Sequence, residues 1–145
     1  MNTEPFVIDD PELDRYVAAA LGRKAMGLVV LDVRHLTSVA DFFIICSGRS
    51  NRQVTAIAEH IHTQLKAERI RPLSVEGKRE GHWVLMDYGA AVIHVFYEPV
   101  RRFYDLEGLW VDARRVSTPS LQKETQPADT DTPPADDPAD EDRQG

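Results

Sequence analysis

Cys46 closes the apolar run Phe42-Phe43-Ile44-Ile45 and could act as a nucleophile if one of the five histidines stood beside it as a base. A catalytic thiolate needs an electropositive, partly exposed setting. Its neighbours Ile45 and Ser47 predict a buried structural thiol instead. Ser47-Gly48-Arg49-Ser50 has the make-up of a turn that cradles phosphates at a helix start. Nucleotidyl transfer would also need two or three carboxylates on neighbouring strands to hold Mg²⁺. Asp32 and Asp87 each stand alone, and no Asp-x-Asp or Asp-x-Glu falls on an expected strand, so no two-metal site is expected. His60 and His62, two apart on a helix, point in different directions. Together with His82 and His94 they predict no metal site, and no cofactor is expected. Trp83 opens a strand directly after a polar loop, where an aromatic side chain can stay half-buried and anchor an interface.

The elements that must position these groups follow from periodicity. Asp9-Asp10-Pro11-Glu12 is a helix start, with a capping acid, a first-turn proline and acids at the positive end of the helix dipole. Leu13, Tyr16, Val17, Ala20 and Leu21 form its apolar face, and Gly22 or Gly27 is expected to end it. Gly27–Val33 reads as a strand, and Thr37–Ala40 as a short connection. Phe42–Ser47 is a strand buried on both faces. A helix from about Ser50 to Arg69 buries Val54, Ile57, Ala58, Ile61 and Leu65. A short strand near Pro72–Val75 and a polar loop follow. Trp83–Asp87 and Ala91–Tyr97 then form a hairpin. Pro99 opens a last helix carrying Phe103, Leu106 and Trp110. The order predicts an α/β fold: a mixed β-sheet flanked by helices. No internal repeat is evident.

Charge divides the chain. Residues 117–145 hold eight acidic and two basic side chains, five prolines and no aromatic, whereas residues 1–116 hold sixteen acidic and fifteen basic ones. The expected organisation is an N-terminal extension over 1–8, one domain over 9–116 and a disordered acidic, proline-rich tail over 117–145. The basic pairs Arg23-Lys24, Lys78-Arg79, Arg101-Arg102 and Arg114-Arg115 are dispersed along a nearly neutral domain. Direct nucleic-acid readout is therefore not expected. No apolar stretch is long enough to span a membrane. The polar start Met1–Pro5 is unlike a signal peptide, and one cysteine allows no internal disulfide, so a cytoplasmic protein is expected.

Taken together, several segments resemble the ribosomal silencing factor family, also called Iojap-like. They are Leu31-Asp32-Val33, Thr37 to Ser50, Val75-Glu76-Gly77, Trp83 to Gly89, Val92 to Phe96, and Arg102 to Trp110. The likeness covers roughly residues 10–112 in order, and leaves out the tail. Gly108 stands where the family usually has a larger, often basic residue.

The resemblance implies a nucleotidyltransferase-like fold without catalytic carboxylates, and no enzyme activity. It implies a translational repressor that binds the large ribosomal subunit through its fourteenth protein. The bound factor would block joining of the small subunit and lower translation under nutrient limitation. Organelle relatives act in ribosome biogenesis. This chain shows no transit peptide, so the bacterial role is the closer expectation. Trp83 matches the family's partner-binding tryptophan. Strand parity adds Leu85 and Asp87 on the same face, and His94 and Phe96 on the neighbouring strand. A homodimer is also implied. Two other readings stay open: a nucleotidyltransferase-like nucleotide-binding enzyme using Ser47–Ser50, and a ribosome assembly factor that contacts rRNA.

Overall fold

Asp10 starts the first helix by accepting the N–H groups of Glu12 and Leu13 on its side chain, with Pro11 in the first turn. This helix, α1 (Pro11–Ala20), belongs to a computed structural model that describes residues 5–124. A single 3₁₀ turn over Leu21–Arg23 follows it. Neither Gly22 nor Gly27 supplies the left-handed residue that ends this segment; Lys24 does, at φ 61°. The chain then runs through β2 (Met26–Asp32) and β3 (Phe42–Gly48), with a two-residue strand β1 (Phe6–Val7) ahead of α1.

Ser50 caps the long helix α2 (Asn51–Ala67) by accepting the Gln53 N–H on its hydroxyl at 3.0 Å. The buried residues of α2 are Val54, Ile57, Ala58, Ile61 and Leu65, the expected stripe. Each of the four larger side chains contributes roughly 1.5–3 kcal/mol by leaving water. Three strands follow: β4 (Ser74–Glu76), β5 (Trp83–Asp87) and β6 (Ala91–Tyr97). All seven residues of β3 are buried, as an apolar run bounded by turns requires.

The last expected helix is two helices. α3 (Glu98–Tyr104) stops at Asp105, whose φ of 48° is left-handed, and α4 (Leu106–Leu109) restarts from it. Asp105 serves both, because its side chain accepts the Gly108 N–H. A side chain at position 108 would collide with that carboxylate. Glycine there leaves room for the Asp105 cap.

The sheet has seven strands in the order β1-β7-β2-β3-β6-β5-β4. β3 and β6 run parallel at its centre, and β5 pairs antiparallel with β6. The mixed sheet flanked by helices is the expected architecture. Its left side differs from expectation. β7 (Arg114–Ser117) lies antiparallel to β2 and parallel to β1, and α5 (Pro119–Glu124) packs on α1. The domain therefore includes Phe6 and Val7 at one end and extends past residue 116 to Glu124. Thr118 is fully buried and Leu121 joins the core. Ser120 donates from its backbone N–H and its hydroxyl to Asp14, at 2.9 and 2.7 Å. Burial pushes the Asp14 carboxyl up, but bonds from Thr118 and Ser120 outweigh it and hold the group below its usual value. Residues 125–145 of the expected tail and residues 1–4 of the expected extension lie outside the described residues.

Two apolar layers flank the sheet. One joins α1, α2 and α5 to Val30, Ile44, Cys46, Met86, Ile93 and Val95. The other is smaller: Leu31, Phe43, Ile45, Val92 and Phe96, covered by Leu106, Val100 and Trp110. Over β5 this second cover is partial and leaves Trp83 and Leu85 half-buried. No helix among the described residues is long and apolar enough to cross a membrane.

Candidate functional site

β5 alternates between half-buried and buried side chains, with Trp83, Leu85 and Asp87 half-buried on one face. The ladder sets Trp83 opposite Phe96, Leu85 opposite His94 and Asp87 opposite Val92. All five residues expected at the site therefore share one face. They do not share one role. His94 is 5% exposed and Phe96 fully buried, because α3 and α4 lie over β6. Those two form the floor under Trp83, and in this conformation neither offers surface to a partner. Asp87 also closes the hairpin, accepting the Gly89 N–H at 2.8 Å.

Trp83 is held in place from several sides. Its ring centroid lies 4.7 Å from Phe96, 5.1 Å from Tyr104 and 6.0 Å from His94. Its indole N–H donates to His94 Nδ1 at 3.1 Å. An indole nitrogen can only donate, so His94 Nδ1 carries no proton. The preceding loop turns back at Gly77, at φ +84°, where any side chain would strike the Trp83 carbonyl. Gly81, at φ +73°, lets the same loop touch the start of α2.

Burial holds the His94 imidazole neutral, with its pKa lowered from 6.5 to about 4. The unfolded chain takes up a proton near 6.5, while the folded one does not until about 4. Stability is therefore lost as pH falls across that window, by about 2 kcal/mol between pH 7.5 and 5. His94→Gln keeps an acceptor for Trp83 without the titration. Its stability measured by urea unfolding should fall less over this range than that of the native protein. Equal acid losses would sink this account.

Sequence reasoning missed two members of the site. Phe103, expected on the last helix, and its neighbour Tyr104 are 79% and 50% exposed. Tyr104 lies tilted against Trp83, and Phe103 meets Tyr104 edge-on at 5.1 Å. With His82, Tyr97, Pro99 and Val100 they line a groove of about 440 Å³ at the start of β5. No local signal flags them, because the break at Asp105 that ends α3 early carries neither glycine nor proline. The shelf runs from Phe103 through Trp83 to Leu85. It ends among acids, as β4 sets Glu76 opposite Leu85 and Ser74 opposite Asp87.

The Ser47–Ser50 turn is built for packing. Ser47 is buried, and its hydroxyl accepts from Arg101 at 2.8 Å. The Arg49 N–H donates to Gln53 Oε1 at 2.6 Å, and Ser50 takes the Gln53 N–H. Gly48 lies close against Val54. The strand carboxylates stand at the other end of the sheet. Asp32 pairs with Phe42, and Asp87 with Val92 beside Phe43, at the start of β3. The turn follows the end of β3, roughly 20 Å away along the strand. Asp32 is also committed to Arg34, which donates to it at 2.7 Å. Cys46 is fully buried, and burial pushes its thiol up to about 12. Among the described residues no three His, Cys, Asp or Glu side chains are placed to share a metal ion.

Comparison with known proteins gives a consistent answer. A family described as "Ribosomal silencing factor during starvation" matches residues 8–143, a longer span than the likeness read from the sequence. A Bacillus subtilis protein named ribosomal silencing factor RsfS is 43% identical over 96 residues, covering 66% of this chain and 81% of that protein. A mouse protein named mitochondrial assembly of ribosomal large subunit protein 1 is 29% identical over 102 residues, covering 68% of this chain and 45% of its own length. A crystal structure from Chromobacterium violaceum superposes with a TM-score of 0.67 at 36% identity, covering 71% of this chain and 87% of that one.

Proposed function

This chain belongs to the ribosomal silencing factor family, and from that premise we propose that it is a non-enzymatic repressor of translation. It binds the large ribosomal subunit through the fourteenth protein of that subunit and sterically blocks the small one. Blocking requires occupancy and not turnover, which suits a chain whose strand carboxylates stand apart from its Ser-Gly turn. The observation that carries the reading is the shelf of Trp83, Leu85, Phe103 and Tyr104, left open where the helical cover is partial. Half-buried aromatic side chains on a fixed floor make strong interface anchors, because little conformational freedom is lost on binding. The acids Glu76 and Asp87 at its margin suit a partner that lives among RNA and is basic. The same shelf is open to a second copy of the chain, so a homodimer would store the protein with its anchor covered.

Sedimentation with isolated large subunits, small subunits and joined ribosomes tests this. The expected result is selective retention on large subunits and inhibition of subunit joining. Retention on neither subunit overturns the reading.

A further inference from the structure

Arg23, Lys24, Arg49 and Arg52 are distant in sequence and gathered by the fold. Gln53 joins three of them through their backbones. Its Oε1 accepts the Arg49 N–H, and its Nε2 donates to the carbonyls of Arg23 and Lys24 at 3.4 and 3.3 Å. Arg52 precedes Gln53 on the first turn of α2. All four are exposed. Among the described residues none of the four forms an ion pair, whereas Arg101 and Arg115 nearby share Glu107. A chain of net charge −7 thus brings the backbones of four cationic residues without ion pairs into one neighbourhood. A polyanion laid across them would be held by that charge.

Their position matters as much as their charge. Met26, Ser47, Phe96 and Trp83 form one row across the end of the sheet, each paired with the next. Lys24 lies two residues before Met26, and Arg49 two after Ser47. With strands about 4.8 Å apart, Met26 and Trp83 are about 14 Å apart. The cations therefore lie at the same end of the sheet as the anchor, on the α1–α2 side, while Trp83 packs on the other face. The Arg49 and Gln53 N–H groups are already bonded within the turn, so the cluster presents spread side-chain charge and not a backbone cradle for one phosphate.

We infer that Arg23, Lys24, Arg49 and Arg52 form a contact for the phosphate backbone of ribosomal RNA beside the protein-binding shelf. This rests on the large-subunit reading above. The contact reads no base sequence. It fixes the orientation in which Trp83 meets its partner and makes binding to the subunit depend on salt.

The test compares the native chain with an Arg23→Gln, Lys24→Gln, Arg49→Gln, Arg52→Gln variant, on purified large subunits and on the isolated fourteenth protein. At 150 mM salt the variant should bind subunits about 10- to 100-fold more weakly, with a log–log salt slope shallower by about two to three. Its melting temperature and its affinity for the isolated protein should match the native values. Unchanged subunit affinity and slope overturn the inference and leave the large-subunit reading standing. Equal losses on the isolated protein also overturn it, because the cations would then contact protein. Failure of the native chain to bind subunits at all overturns the parent reading, and this inference with it.

Discussion

Large subunits mixed with a Trp83→Glu variant should sediment without it, under conditions that retain the native chain. The native indole is half-buried between Phe96 and Tyr104 and bonded to His94. A carboxylate there removes the proposed apolar anchor and would set a charge where the proposed partner must dehydrate. Loss of a central aromatic anchor costs about 2–4 kcal/mol, a 30- to 1,000-fold fall in affinity. Phe103→Glu provides a second case with little risk to folding, since that ring is mostly solvent-exposed. It should weaken binding in the same direction with an unchanged melting temperature. Retention of both variants at native affinity would show that the shelf is not the contact.

The second large effect concerns Arg101, whose side chain is only 13% exposed. Its guanidinium donates to the Ser47 hydroxyl and the Gly27 carbonyl, both at 2.8 Å, and to both oxygens of Glu107 at 2.9 and 3.3 Å. One side chain thus ties α3 to β2, β3 and α4. Arg101→Met leaves the buried Ser47 hydroxyl and the partly exposed Glu107 without these bonds. With allowance for that exposure, the loss is about 2–4 kcal/mol, or roughly 10 °C in melting temperature. Lysine recovers only part of this, because it has no planar fork of donors. The hydrogen bond from Arg101 holds the Glu107 carboxyl below its usual value of 4.5. A lowered carboxyl stabilises the fold above its unfolded value, and that share is lost as pH falls through the folded one. The gap between native and variant should therefore narrow below about pH 4.5. A variant melting within 2 °C of the native chain at pH 7 would disprove this role. Looser anchoring of α3 should also weaken ribosome binding through Phe103 and Tyr104, without any contact by Arg101 itself.

The central strand, the stripe of α2 and the β5–β6 hairpin could be read from sequence because each is a local pattern with clear ends. Phe42–Cys46 is an uninterrupted apolar run, and Ser50 is a cap that bonds within its own first turn. β1 and β7 could not be read this way. They are two and four residues long, and their pairing joins Phe6 to Val116 across almost the whole domain. Composition averaged over an acidic, proline-rich window concealed the inward-facing Thr118 and Leu121. The break at Asp105 carries neither glycine nor proline, so the two short helices looked like one. At the site, parity placed Trp83, Leu85 and Asp87 on one face. Whether His94 and Phe96 reached solvent depended on how far α3 and α4 extend over β6, a tertiary matter. The gathering of cations by Gln53 spans about thirty residues of sequence and leaves no local signal.

The strand order also sets a timetable for synthesis. β3, α2, β4, β5 and β6 come from one continuous stretch, Phe42 to Tyr97, and pair among themselves. β7 bridges β1 and β2, and forms only when the chain has been made as far as Ser117. During vectorial elongation, the half of the sheet that carries Trp83 can assemble first. The α1–α2 layer then waits for α5 to close over its far side. A chain ending at Asp112 and released from the ribosome would therefore display Trp83 while its opposite edge was still unpaired.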